Sequence, residues 1–397
     1  MNRTVLVICN SHPAEYDELF IKLSGCDSTA SSVIYSNSII KGLNLNNVHH
    51  YILSAPSIGH YPFTSKTKKI DPIDFGNNYF SVGYNNFALF SQHSKTRSLV
   101  KKFQEKVIVD KNEPLDIIVT DVHAPFLKTA LRIKKKHKNS KIVLVCLDIP
   151  QYVHSASKNL ILRLFKKLSV LEVNRLMKRV DAYVFLSDYM KDYFDIKSRK
   201  YIISPCILDT SIYCGLKKDI NSDIIKIVYC GVLSKQYNVD LLLDAFELIE
   251  DNRYQLLLAG KGDLVPQIQE IIKNNKNIHY FGEIKREKAY ELQLNADVLV
   301  NPRLPNSEYT KISFPSKTVS YLYSGNPLVC YSLQSFPKEI IATIFEPKDF
   351  TPASFAEAIK TAAGQIKKKQ IEVALKYSEK NVVNQIIKLF EEIREDE

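Results

Sequence analysis

From residue 224 to residue 331 the chain repeats one pattern: a short apolar run that closes on glycine or a polar residue, then a stretch whose apolar residues recur at helical spacing. Residues 225–230 run into Gly231, 254–259 into Gly260-Lys261-Gly262, 278–281 into Gly282, and 297–301 into Pro302. Residues 239–248, 264–274 and 285–295 carry the helical pattern between them. Continuous apolar runs this short suit strands buried on both faces, which implies parallel strands joined by helical crossovers. The alternation therefore predicts an α/β domain whose strands all present their carboxyl ends along one edge.

The stretch 313–330, Ser-Phe-Pro-Ser-Lys-Thr-Val-Ser-Tyr-Leu-Tyr-Ser-Gly-Asn-Pro-Leu-Val-Cys, completes the series. It reads as a loop ending at Pro315, a helix over 316–323, a stop at Gly325 and a buried strand over 327–331. Serine is a capping residue at helix starts, glycine accepts the left-handed conformation that ends a helix, and Pro327 prevents continuation. The backbone amides at the start of this helix, with Ser316 and Lys317 beside them, offer a place for an anion.

The first half carries the same elements less regularly. Residues 4–10 form a strand-like run that ends in the turn Asn10-Ser11-His12-Pro13, and 28–43 hold Val33, Ile34, Ile39, Ile40 and Leu43 at helical spacing. Another strand begins at His49, whereas 54–86 are turn-rich and aromatic and suggest no role. Residues 115–120, 125–138 and 141–147 read as strand, helix and strand, a right-handed crossover. Asp148 then falls at a strand's carboxyl end, where ligands of open parallel sheets collect, and His123 follows the preceding strand. The bland alternatives are a carboxylate capping the turn before Pro150 and a structural histidine.

Residues 157–179 predict a long amphipathic helix with Lys158, Arg163, Lys166, Lys167, Arg175, Lys178 and Arg179 against the single acid Glu172. Leu160, Leu164, Leu168, Leu171 and Leu176 supply its apolar stripe. This is either a solvated basic face over a packed stripe or a surface for anionic lipid headgroups, where each basic residue contributes about 1 kcal/mol. A strand at 181–187, a helix through Phe194, a segment at 200–205 and a polar linker at 209–223 follow. Residues 355–366 and 371–393 are helical by pattern, with Val382, Ile386, Leu389, Phe390 and Ile393 on one stripe.

At 397 residues the chain exceeds one hydrophobic core, and two or three domains are expected. Its formal charge of +11 favours acidic partners or simply a solubilising surface. Seven cysteines without a Cys-x-x-Cys pair, several in strand-like runs, point to buried reduced thiols. The apolar core of residues 1–10 is too short for a signal peptide, and no stretch approaches a membrane span. A cytoplasmic protein is expected, either soluble or peripheral on the cytoplasmic face of a membrane.

The stretch 313–330 resembles the FPSK…EYL.SG.P signature of glycosyltransferase family 4. Gly231 resembles that family's glycine after the first strand, Gly260-Lys261-Gly262 its small-residue turn, and Phe281-Gly282 with Ile284 the edge that receives the base. The resemblance implies a GT-B fold, α/β with two Rossmann-like domains facing across a cleft and a C-terminal helix crossing back to the first. It implies an acceptor-binding domain at 1–208, a linker at 209–223, a nucleotide-sugar-binding domain at 224–375 and the returning helix at 376–397. Gly25 and the small residues 28–32 replace the Gly-Gly pair common in the family's first loop.

Family members are retaining transferases, and the resemblance implies a nucleotide-diphosphate sugar as co-substrate, a glycan or lipid-linked glycan as acceptor, and neither metal nor nucleic acid. Lys235 and Lys317 would clamp the diphosphate, with Gly231, Gly260, Lys261, Gly282, Ile284, Ser316 and Ser320 around the nucleotide sugar. Asp148 and His123 would act near the reacting sugar. Alignment on Phe314 and Gly325 places Ile312 and Ser320 where many members carry two glutamates, and only one lysine, Lys235, stands near the family's Arg and Lys after the first glycine. Those departures keep two other readings open: a noncatalytic or weakly active protein that binds sugar nucleotide or a partner, and an epimerase or phosphorylase of the same fold.

Overall fold

The computed structural model describes residues 3–24, 31–56, 58–88, 90–110, 112–149, 160–194, 196–218, 223–306, 308–365 and 369–396. The chain divides into two compact units, Met1–Ile207 with Glu379–Glu397, and Leu208–Ser378. Gly25, most of the 28–32 series, Lys158 and the start of the basic helix fall outside the described residues.

In the first unit, β1 (Thr4–Cys9), α1 (Asp17–Ser24), α2 (Ser31–Leu45) and β2 (His49–Ser54) come first. Short strands β3 (Lys69–Ile70), β4 (Ile73–Asp74), β5 (Tyr79–Ser81) and β6 (Tyr84–Asn85) fill the aromatic region. Then follow α3 (Ser91–Lys106), β7 (Leu115–Val119), α4 (Ala124–Lys136) and β8 (Ser140–Cys146). Last come α5 (Leu160–Met177), β9 (Ala182–Phe185) and β10 (Tyr201–Ile203). The sheet runs β10-β9-β8-β7-β1-β2-β5-β4. It is parallel from β10 to β5, with Thr4 opposite both His49 and Leu115. The β-branched run Val5 to Cys9 is wholly buried because helices cover both faces of β1.

The closing helix, Glu379–Glu395, belongs to this unit and buries Val382, Val383, Ile386, Leu389 and Phe390 in its core. A Cβ on Gly42 of α2 would lie 2.3 Å from the Glu379 carbonyl oxygen, so only glycine allows this approach. The Glu379 carboxylate is buried and paired with Lys41 at 2.9 Å. Near the helix's other end Arg394, together with Arg3 at 2.9 Å, pairs with the fully buried Asp116.

Three expectations change here. Residues 188–193 form 3-10 turns in place of an α-helix. The C-terminal pattern is broken by a turn into two helices, Gln370–Leu375 and Glu379–Glu395. In α5 two leucines of the predicted stripe are not buried: Leu168 and Leu171 are 54% and 58% exposed, Leu176 is half-buried, and Val173 and Met177 pack inward.

The second unit contains β11 (Ile225–Cys230), α6 (Val239–Glu247), β12 (Tyr254–Ala259), α7 (Val265–Asn274) and β13 (Ile278–Tyr280). It continues with α8 (Arg286–Leu294), β14 (Val298–Asn301), α9 (Glu308–Ile312), α10 (Lys317–Tyr323) and β15 (Leu328–Cys330). Helices α11 (Lys338–Ile341), α12 (Pro352–Ala362) and α13 (Gln370–Leu375) end it. Its parallel sheet runs β13-β12-β11-β14-β15, so the order of addition reverses between β11 and β14. The described part of the segment read as a linker lies in this unit, where Tyr213 donates to the Ser320 carbonyl at 2.8 Å.

Candidate active site

In the second unit the parallel strands deliver Gly231, Gly260, Gly282 and Arg303 to one sheet edge. Gly260 N donates to the Gly282 carbonyl at 2.8 Å, and Tyr280 Oη donates to the Gly260 carbonyl at 2.9 Å. Leu233 N donates to the Lys261 carbonyl at 2.9 Å. The turns after β11, β12 and β13 are thereby tied together. A Cβ on Gly262 would fall 2.0 Å from the Leu233 carbonyl oxygen, which excludes any side chain there.

Lys317 reaches this edge from α10, its ammonium donating to the Cys230 carbonyl at the end of β11. Although the residue is exposed, protein packed around the ammonium lowers its pKa through desolvation. Tyr321, on the same helix, receives Cys230 N at 3.1 Å, so the short helix is fastened to the strand end. A cation at such an edge can stabilise negative charge that develops on a leaving group.

Ser316 differs from expectation: its backbone is already helical and its side chain makes no capping bond. The amides of Thr318 and Val319 bond to Pro315 and Ser316 carbonyls, so they are not free to receive an anion. Ser320 Oγ donates to the Lys317 carbonyl at 2.9 Å, leaving only acceptor capacity for a ligand. Ile312 is 5% exposed and brings no polar group, and Glu308 is exposed and paired with Lys311 at 2.6 Å. Lys235 is exposed at the start of a 3-10 turn, and none of the described residues holds it. Lys261 pairs with Glu283 at 3.2 Å, and Ile284, the residue after Glu283, is half-buried.

Two residues at the switch point escaped the sequence reading. Asn238 takes the left-handed conformation (φ 58°), and its Oδ1 accepts from Leu304 N at 3.1 Å, which joins the loops after β11 and β14. Arg303, only 9% exposed, donates to Ser313 Oγ at 2.8 Å and lies 5.6 Å from the centre of the Tyr237 ring. Its place directly after a buried strand was the available signal, because ligands of open sheets collect where strand order reverses.

The first unit has its own reversal, between β1 and β7. The turn after β1 is pinned by Asn10 Nδ2 to Ser32 Oγ at 2.9 Å and by Asn37 Nδ2 to the His12 carbonyl at 3.0 Å. Asp121 and His123 follow β7, and Asp148 follows β8. Burial raises the Asp121 pKa to about 6, with the Asp148 charge adding to the rise. Asp148 is exposed as a residue, yet desolvation by its surroundings raises its pKa too. Burial holds the His123 pKa well below the usual value, reinforced by Lys95 and His60. The structure thus groups the expected Asp148 and His123 with Asp121, Lys95 and His60, which the sequence did not single out.

Among the described residues, no group of three or more His, Cys, Asp or Glu side chains is gathered to hold a metal ion. No described helix is long and apolar enough to cross a membrane.

Two sheets, each with a reversal of strand order, define an α/β protein of GT-B fold with two Rossmann-like domains. Residues 225–365, in the second unit, match the family model Glycosyl transferases group 1. Sucrose-phosphate synthase from Thermosynechococcus elongatus and a glycosyltransferase from Rickettsia africae each superpose with a TM-score of 0.63 over 100% of both chains, at 13% identity. The Anabaena protein HepE, solved with UDP and glucose, superposes with a TM-score of 0.53 at 13% identity over 98% of both chains. No curated protein matches the sequence.

Proposed function

We propose that this protein is a retaining glycosyltransferase that takes a sugar from a nucleotide-diphosphate donor and passes it to a glycan or lipid-linked glycan in cell-surface polysaccharide synthesis. The observation that carries the reading is Lys317 fastened at the end of β11, on the same edge as the glycine turns, within the region that matches group 1 glycosyl transferases. HepE's complex with UDP and glucose supports the donor class. In this reading Lys317 and Lys235, joined by Arg303, stabilise the charge that grows on the departing diphosphate. Asp148 and His123 orient the reacting sugar, the donor phosphate itself assists front-face attack, and the chemistry needs no metal. Gly231, Gly260 and Gly282 let backbone approach the nucleotide, while Ile284 flanks its base and Ser316, Ser320 and Lys261 line the rim.

Thermal shift with UDP-, GDP-, CMP- and dTDP-sugars tests this, because a ligand that binds only the folded state raises its stability. Selective stabilisation by one base, lost in Lys317→Ala, together with slow donor hydrolysis, is the expected result. Stabilisation without hydrolysis or transfer would favour the noncatalytic reading, for which the apolar Ile312 speaks. No stabilisation in a folded sample would end the proposal.

The exposed leucines of α5 favour a peripheral membrane location. Leu168 and Leu171 share the helix with exposed Lys167 and Arg175, and Lys178 and Arg179 are exposed just beyond it. Apolar and basic groups side by side suit an anionic bilayer surface.

A further inference from the structure

Lys95 of α3 is only 2% exposed, and its ammonium lies 4.5 Å from the centre of the Tyr84 ring. None of the described residues gives it a hydrogen bond or an ion-pair contact. Lysine is almost never buried without a partner, because an isolated ammonium loses its hydration. Apart from the face of the Tyr84 ring, the described residues leave this ammonium unsatisfied, and a buried polar group in that state calls for a partner.

The surroundings say what that partner is. Asp121 and His123 stand on the turn after β7, and His60 comes from the loop after β2, its Nδ1 3.2 Å from Ser91 Oγ one helical turn before Lys95. His123 Nδ1 is buried and has no hydrogen-bond partner among the described residues. The pKa of Lys95 is lowered to about 8 by burial, and Asp121 opposes the shift, so both groups are charged at neutral pH. Burial keeps His60 and His123 neutral, each with one donor and one acceptor nitrogen.

An anionic ligand would meet the charge of Asp121 and Asp148, and a cationic one the charge of Lys95. A ring of hydroxyl groups, which both donate and accept, satisfies ammonium, carboxylate and imidazole together. We propose that Lys95 and Asp121 bind hydroxyl groups of a neutral sugar ring and form the recognition subsite for the acceptor glycan in the first unit. This rests on the glycosyltransferase reading.

The test uses the full chain with methyl glycosides of neutral hexoses, hexuronates and hexosamines as probes, followed by saturation-transfer NMR. Neutral glycosides should bind, and Lys95→Met and Asp121→Asn should each weaken that binding at least about tenfold. Lys95→Met should also melt at or above the wild-type temperature, since an unpaired buried charge gives way to an apolar chain of similar volume. Preference for uronates or hexosamines, binding unchanged in both variants, or no binding of any probe would overturn the subsite. A lower melting temperature with binding intact would make Lys95 structural and overturn it equally. Nucleotide-sugar stabilisation, measured on the same samples, separates the two ideas: its absence with neutral-glycoside binding through Lys95 removes the transferase reading and the acceptor role, and leaves a neutral-sugar site.

Discussion

The Gly260 α-carbon faces the Gly231 carbonyl so closely that a Cβ would lie 1.8 Å from the oxygen. Gly260 also holds φ +137°, outside the range of side-chain-bearing residues. Clash and strain act together, so Gly260→Ala should destabilise the chain by at least about 2 kcal/mol. Urea denaturation measures this, and a loss below about 0.5 kcal/mol would contradict the close packing of the two turns.

Lys317 and Arg303 occupy the same sheet edge from different strands and helices. Each alanine variant should weaken nucleotide-sugar binding about tenfold or more, and Arg303→Lys should not restore it, because the planar fork is lost. Calorimetric titration decides. Wild-type affinity in Arg303→Ala would confine that arginine to its contacts with Ser313 and Tyr237.

Asp121 gives a pH signature. Its folded-state pKa of about 6 lies above the ordinary 3.8, so the folded chain binds this proton more tightly than the unfolded one. Stability therefore falls as pH rises from about 4 to about 6 on account of this group. Relative to wild type, Asp121→Asn should gain about 2 kcal/mol between pH 4 and pH 7. Urea melts at the two pH values would show it, and a pH-independent difference would argue against the raised pKa.

The closing helix contributes Val382, Val383, Ile386, Leu389 and Phe390 to the first unit's core. At about 1.5–3 kcal/mol for each buried side chain, their loss approaches the whole stability of an ordinary domain. A chain truncated after Ser378 should fail to give a cooperative melt for the first unit. A truncated protein with the full wild-type transition would refute that dependence.

For α5, Leu168→Ser with Leu171→Ser should reduce sedimentation with anionic phosphatidylglycerol vesicles about fivefold or more without lowering the melting temperature, because both residues are exposed. Equal sedimentation of variant and wild type would sink the membrane assignment.

The sequence by itself determined the alternation of buried strands and helices, the glycine turns at Gly231, Gly260 and Gly282, and the stop at Gly325, because these follow from periodicity and backbone freedom within a few residues. Only tertiary structure decided the rest. Lys95, His60 and Asp121 lie far apart in the chain and meet because strand order reverses beside β1. Arg303 reaches the same edge as Gly231 because β14 lies next to β11. Leu168 and Leu171 looked like core because periodicity marks an apolar stripe without saying whether anything covers it. Local spacing encodes elements; which faces and strand ends come together depends on packing that no short stretch contains.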